Sequence, residues 1–141
     1  MEKQMFCYQC EQTAGCSGCT GKAGVCGKTA RTAGLQDELT GALIGLARTC
    51  ASDPKTENTD RLILEGLFAT VTNVNFDDEA IERLIDKVRA EKEQIAPGCA
   101  VCEAKCGNTD EYDMKRIWEA QEDIRSLKSL ILFGIRGMAA Y

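Results

Sequence analysis

The sequence predicts an all-α protein whose helices pack in a bundle, with cysteine-rich loops outside the helices. Three observations support this fold class. Apolar residues recur every three or four positions in several segments, which is the helical period. Polar or Gly- and Pro-containing stretches separate these segments. The chain also lacks a convincing run of alternating β-branched residues, the pattern expected of strands.

The first helical segment runs on from Leu35, with Leu39, Leu43 and Leu46 on one face. Cys50 falls four residues further along the same stripe. Because a buried free cysteine behaves as a small hydrophobic residue, we interpret Cys50 as a core thiol.

Two more helical segments follow the polar stretch 52–58. Asn58 or Thr59 could cap the second helix, and Asp77 is the expected N-cap of the third. Pro97 and Gly98 should end the third helix. The expected buried positions of the two helices are Leu62, Ile63, Leu67, Phe68, Val71, Ile81, Leu84, Ile85, Val88 and Ile95.

The last segment, residues 123–141, is apolar almost all round and should need neighbours on several sides. One face carries Ile124, Leu127, Ile131, Ile135 and Met138. No Gly, Asn or Pro stop signal ends it, so we expect the natural polypeptide to continue. Residues 35–48 also resemble residues 127–140 at a constant offset. Either this helix opens a second bundle, or two amphipathic helices are alike by chance.

Charge and composition exclude several classes of function. Seventeen Lys and Arg against 22 Asp and Glu give a net charge of −5, with no basic cluster for a nucleic-acid backbone. No signal peptide or membrane-spanning run is evident, so we expect a cytoplasmic protein with no membrane partner. In a reducing compartment, nine cysteines favour metal binding or redox chemistry. Since the chain contains 0 His, sulfur or carboxylate must hold any metal.

Five cysteines lie in the Gly-rich segment 7–28: Cys7, Cys10, Cys16, Cys19 and Cys26. Four thiolates suit either Zn²⁺ or a cubane iron-sulfur cluster, and a compact run from one loop is more typical of a cluster. Disulfides or free thiols are further alternatives. Nearby charges could tune a cluster, but we interpret Glu11, Lys22, Lys28 and Arg31 as solvated loop residues.

A second group, Cys99, Cys102 and Cys106, lies between a helix stop and a new helix. A second metal site here would need a fourth ligand. Cys16 is the most attractive candidate, ahead of Cys50, Glu103 or a neighbouring chain. Alternatively, two of these thiols are prone to disulfide formation and the third is packed.

The chain resembles the hybrid cluster proteins, also called prismane proteins or hydroxylamine reductases. The motifs are FCYQCEQTA at 6–14, GCT at 18–20, GVCGK at 24–28, LQD at 35–37, LFATVTN at 67–73 and EDIRSL at 122–127. The Cys triplet followed by GNT and YDM is similar to a feature of family members from anaerobes. The resemblance covers almost the whole chain.

This resemblance implies a 4Fe-4S cluster on Cys7, Cys10, Cys19 and Cys26 that receives electrons from a donor protein. The cluster would pass them to a hybrid iron-sulfur-oxygen cluster in the rest of the hybrid cluster protein, where hydroxylamine or nitric oxide is reduced. Two departures limit the transfer. Cys16 is an additional thiol that could replace Cys19. The hybrid cluster of the family also needs a His, which this chain lacks, so we expect the chain to be inactive alone.

The resemblance also implies a three-helix bundle, an amino-terminal cluster-binding loop and the first helix of a second bundle. We therefore divide the chain into a cysteine-rich iron-sulfur loop at 1–34, a helical bundle at 35–109 with a second cysteine loop at 97–109, and helices at 110–141 leading into a truncated bundle. One alternative is a zinc-binding structural or interaction domain without a redox role. Another is a standalone ferredoxin-like carrier.

Overall fold

The computed structural model describes residues 5–10, 18–52, 55–71, 75–97 and 110–141. The described residues form five helices and no strand, which confirms the all-α prediction. The helices are α1 (Ala30–Ser52), α2 (Glu57–Ala69), α3 (Asp78–Ile95), α4 (Lys115–Trp118) and α5 (Glu122–Ala139). None of these described helices is both long and apolar enough to cross a membrane.

An apolar core lies between α1, α2 and α3. Its buried members are Leu39, Ala42, Leu43, Leu46, Leu62, Ala69, Ile81, Leu84, Ile85 and Val88. Cys50 is half-buried and packs against this core, which confirms its interpretation as a core thiol. Phe68 was expected inside, but it is 44% exposed because it points away from the stripe that carries Leu62 and Ala69.

Hydroxyl and carboxylate side chains set the helix starts. The Thr29 hydroxyl accepts a hydrogen bond from the Thr32 amide, so α1 begins at Ala30, inside the segment assigned to the cysteine-rich loop. Asp77 caps α3 as predicted. The cap of α2 is Thr56, so the prediction of Asn58 or Thr59 is wrong.

Thr59 instead completes the cap from inside α2. Its hydroxyl accepts a hydrogen bond from the Thr56 amide at 3.0 Å, and the two threonines form a capping box. Thr and Asn both suit an N-cap, so residue type alone does not distinguish Thr56 from its neighbours.

A buried carboxylate ties this cap to α3. Glu91 is 3% exposed and accepts hydrogen bonds from Thr56, from the Thr59 hydroxyl at 2.6 Å and from the Asn58 amide group at 3.0 Å. Burial alone would raise the pKa of Glu91, but the three hydrogen bonds together outweigh it and lower that pKa. The charged form of Glu91 therefore stabilises the contact between α2 and α3.

The segment before α4 lies directly against α1. The Tyr112 amide donates to the Gly41 carbonyl at 3.2 Å, and a Cβ on Gly41 would overlap the Tyr112 carbonyl oxygen. Arg89 of α3 binds both Glu111 and Glu38, at 2.7 and 2.8 Å. Glycine at position 41 and these ion pairs hold the segment on the bundle.

Helix α5 leaves most of its apolar face open. It contacts α2 and α4, yet Leu130, Ile131 and Met138 are 69%, 65% and 77% exposed. Its buried residues are Ser129 and Arg136. The predicted apolar stripe therefore exists, but within the described residues it has no apolar neighbour covering it.

Candidate metal centre

Cys7 and Cys19 lie opposite each other in an isolated antiparallel bridge. The Cys7 amide donates to the Cys19 carbonyl at 3.0 Å, and the Cys19 amide donates to the Cys7 carbonyl at 2.7 Å. Gly18 makes this pairing possible because its φ is +88°, and a Cβ there would lie 3.1 Å from the Cys7 carbonyl oxygen. Two predicted ligands, 12 positions apart in sequence, are thus joined through their backbones.

Cys26 sits on a tight turn beside this bridge. The Gly24 amide donates to the Lys28 carbonyl at 2.8 Å, and the Gly27 amide donates to the Gly24 carbonyl at 2.9 Å. A Cβ on Gly24 would lie 3.4 Å from the Cys26 sulfur and 3.3 Å from the Met5 methyl carbon. The turn therefore brings Cys26 close to the loop backbone at Gly24. Met5, on the other side of Gly24, belongs to the same buried apolar cluster as Cys7.

The four predicted ligands differ in exposure. Cys7 is buried, Cys10 and Cys19 are half-buried, and Cys26 is exposed. Among the described residues, no three Cys, Asp or Glu side chains converge closely enough to hold a single metal ion. Four cysteine thiolates are a donor set for a tetrahedral zinc ion and also for a cubane, in which each of the four iron atoms takes one thiolate. The donor set of four thiols therefore fits a cubane in its chemistry.

A buried lysine lies beneath Cys7. Lys28 is 2% exposed, and its ammonium nitrogen donates to Gln36 Oε1 at 2.5 Å and to Gln9 Oε1 at 3.1 Å. The Cys7 sulfur is 4.0 Å from the same nitrogen. The interpretation of Lys28 as a solvated loop residue is therefore wrong. Gly27 and Thr29 on either side of it are exposed, so the side chain is held inward by the oxygens of Gln9 and Gln36.

The other charged positions fit their interpretation better. Lys22 is exposed. Arg31 is exposed as interpreted, but it lies in α1 and not in a loop, and it forms surface ion pairs with Glu82 at 2.7 Å and Asp78 at 3.4 Å. Glu11 lies outside the described residues.

Further polar groups hold the two amides that bind Lys28, and together these residues form a polar layer beneath the loop. Gln9 donates to Asp37 at 2.8 Å, and Gln36 donates to the Asn75 carbonyl at 2.9 Å. Burial raises the pKa of Asp37, although the hydrogen bond from Gln9 opposes this. Burial likewise raises the pKa of the Cys7 thiol, against the effect of nearby Lys28. The loop therefore rests on amides and a carboxylate as well as on the small apolar cluster that Met5 and Cys7 form with Ala33 of α1.

Arg136 brings a second buried cation to this layer from α5. It is 4% exposed and donates to the Thr40 hydroxyl at 3.1 Å. Burial lowers its pKa to about 10, while nearby Asp37 and Cys7 act in the opposite direction. Its Nε and Nη1 atoms have no hydrogen-bond partner among the described residues.

Three aromatic rings cover one side of the bridge. Trp118 packs at 4.8 Å from the Tyr8 ring and at 5.8 Å from the Phe6 ring. These rings flank Cys7 in sequence, so α4 shields the buried cysteine from water on this side. Trp118 is thus a packing residue.

Four residues of the polar layer were not predicted: Gln9, Gln36, Asp37 and Arg136. One signal was present for Gln36, which lies three residues from both Ala33 and Leu39 on the buried face of α1. A polar residue within an apolar stripe marks a buried hydrogen-bonding position. Arg136 carries no such signal. The apolar residues around it in α5 are exposed, so they do not mark a buried face on which a polar residue would stand out.

The possible second site, formed by Cys99, Cys102, Cys106 and Cys16, lies outside the described residues and stays a prediction. Cys50 lies against the three-helix core, where burial raises the pKa of its thiol.

Comparison with known proteins gives a consistent match over nearly the whole chain. The model of the Prismane/CO dehydrogenase family matches residues 5–141. A hydroxylamine reductase from Porphyromonas gingivalis is 40% identical over 100% of this chain and 29% of its own length. One from Bacteroides thetaiotaomicron is 42% identical over 97% of this chain and 28% of its own length. One from Desulfovibrio desulfuricans is 39% identical over 100% of this chain and 29% of its own length. The chain therefore spans less than a third of the length of these relatives.

Proposed function

The chain belongs to the prismane/CO dehydrogenase family, and on that basis we propose that it is the electron-transfer part of a hydroxylamine reductase. Cys7, Cys10, Cys19 and Cys26 would hold a 4Fe-4S cluster. The observation that carries this proposal is the backbone pairing of Cys7 with Cys19 in a Gly-rich loop above a buried cation.

Each part of the loop has a defined task in this proposal. The Cys7–Cys19 bridge fixes two ligands, and the Gly24–Lys28 turn presents Cys26. Trp118 and Tyr8 exclude water from the side of Cys7. The exposed position of Cys26 leaves another side open, through which an electron donor protein could approach.

When bound, the cluster would accept and release one electron at a time. Reduction of hydroxylamine or nitric oxide would then take place at a hybrid iron-sulfur-oxygen cluster formed by other parts of the enzyme. That second cluster needs a His, and this chain has 0 His. The chain alone would thus transfer electrons without completing the reaction.

The ligand assignment is tested by purifying the chain anaerobically and measuring iron, sulfide and the EPR spectrum after reduction. We expect iron and sulfide at the ratio of a cubane, and loss of the signal when Cys7, Cys10, Cys19 or Cys26 is changed to Ala. Cys16→Ala is the matched control and should keep the cluster. A colourless protein with stoichiometric zinc would instead support a zinc-binding structural domain.

The division of labour is tested by an anaerobic assay with reduced viologen. We expect the chain to be reduced by the dye but to turn over neither hydroxylamine nor nitric oxide at the rate of a full-length relative. Substantial turnover by protein free of longer contaminants would contradict the proposal.

A further inference from the structure

We propose that Lys28 raises the reduction potential of the cluster through its buried charge, which forms no ion pair with a carboxylate of the described residues. This inference rests on the proposed function, because it requires a cluster on Cys7. It concerns the reduction potential of the cluster, which the identity of the ligands alone does not determine.

The surroundings of Lys28 keep its charge in place without neutralising it. Within the described residues, the oxygen partners of the ammonium are two side-chain amides, Gln9 Oε1 at 3.1 Å and Gln36 Oε1 at 2.5 Å. Amide oxygens accept hydrogen bonds but carry no formal charge. Within the described part of the chain, Lys28 forms no ion pair with a carboxylate.

The two amides are themselves held in position. Gln9 donates to Asp37 at 2.8 Å, and Gln36 donates to the Asn75 carbonyl at 2.9 Å. Each amide therefore uses its NH₂ group elsewhere and must present its oxygen to Lys28. This arrangement directs the ammonium to one place, 4.0 Å from the Cys7 sulfur.

Among the described residues, two buried cations lie near Cys7, namely Lys28 and Arg136. The carboxylate beside them is Asp37, and Asp113, which also acts on Asp37, is exposed. A buried charge without a counter-ion is costly, and its interactions are weakly screened.

The same charge distinguishes the two oxidation states of a cluster. One-electron reduction adds one negative charge to the cluster, so a cation close to a ligand sulfur stabilises the reduced state more than the oxidised state. Cluster potentials respond to net charge and to hydrogen bonds at the sulfurs. Removing the charge of Lys28 should therefore lower the potential.

The test compares Lys28→Met with Lys22→Met in the anaerobically purified, cluster-loaded chain. Both variants remove a lysine from the same loop, but Lys22 is exposed. The midpoint potential is measured by a redox titration followed by EPR. We expect Lys28→Met to lower the equilibrium constant for reduction at least tenfold, which is 59 mV for a one-electron couple. Lys22→Met should change it little, because solvent screens an exposed charge.

A second variant decides the question if Lys28→Met does not fold or does not retain its cluster. Gln36→Glu keeps Lys28 but places a negative charge beside its ammonium, so it should lower the potential in the same direction. An unchanged potential in a cluster-loaded Lys28→Met or Gln36→Glu protein would overturn this inference alone. A wild-type chain that binds no cluster would overturn the proposed function as well.

Discussion

Helices α1 and α5 carry similar apolar patterns in opposite environments. At a constant offset in sequence, Leu39 corresponds to Ile131 and Leu46 to Met138. Leu39 and Leu46 are both 0% exposed, whereas Ile131 and Met138 are 65% and 77% exposed. A helical period thus specifies which residues share a face, while the neighbouring elements decide whether that face is buried.

The largest expected effect on stability comes from truncating the buried residue of the pair Leu46 and Met138. Leu46→Ala removes a side chain enclosed by α1, α2 and α3, and should lower the free energy of unfolding by about 2 to 5 kcal/mol. The matched variant Met138→Ala removes an exposed side chain and should change it by less than about 0.5 kcal/mol. Urea unfolding followed by circular dichroism measures both. Equal losses would contradict the comparison.

A second effect tests the polar tie between α2 and α3. Glu91→Gln removes the charge that accepts hydrogen bonds from Thr56, Thr59 and Asn58. Since hydrogen bonds to charged groups contribute about 1.5 to 3 kcal/mol, a loss in that range is expected at neutral pH. Glu79→Gln is the surface control, because its partner Arg83 lies 3.7 Å away in an exposed pair.

The effect of Glu91 should also depend on pH with a defined sign. Its pKa is lower in the folded protein than the ordinary value of 4.5, so the unfolded state takes up a proton first as the pH falls. The difference between wild type and Glu91→Gln should thus be full at neutral pH and should decrease as the pH falls below about 4.5. Urea unfolding at several pH values checks this. A difference that grows on acidification would contradict the assignment.

A third, somewhat smaller effect tests the close approach on α1. Gly41→Ala places a methyl group against the Tyr112 carbonyl, so the segment before α4 must move. We expect a loss of about 1 to 3 kcal/mol. Gly34→Ala lies in the same helix with nothing within 4 Å of the new Cβ. It should stabilise the protein by up to about 1 kcal/mol, because alanine favours the helix. Thermal unfolding of the two variants should therefore shift in opposite directions.

The bundle could be predicted because its core depends on local periodicity. Leu39, Leu46, Ile81 and Val88 were all expected to be buried and are buried. The candidate site could be proposed from the sequence only at its cysteines, since loop thiols in this spacing are an uncommon pattern, and their role as ligands stays a prediction. The burial of Lys28 could not be predicted, because it depends on the amides of Gln9 and Gln36, which lie 19 and 8 positions away and share no periodic pattern with it.

The same limit applies to Arg136. It lies on the helix of the exposed apolar residues, yet it is the side chain that α5 buries against the polar layer. The Cys7–Cys19 pairing likewise depends on Gly18, whose positive φ has no periodic signal. Long-range contacts and special backbone conformations are thus what periodicity leaves undetermined.

The smallest expected effect concerns the open face of α5. Ile131→Ser and Leu130→Ser each replace an exposed apolar side chain, 65% and 69% exposed respectively, so each should change the free energy of unfolding by no more than about 0.5 kcal/mol. Serine is a somewhat weaker helix former than leucine, which accounts for a small loss. Urea unfolding at two protein concentrations checks this expectation. A loss above 1 kcal/mol that grows with concentration would mean that a second copy of the chain covers this face, because only association makes stability depend on concentration.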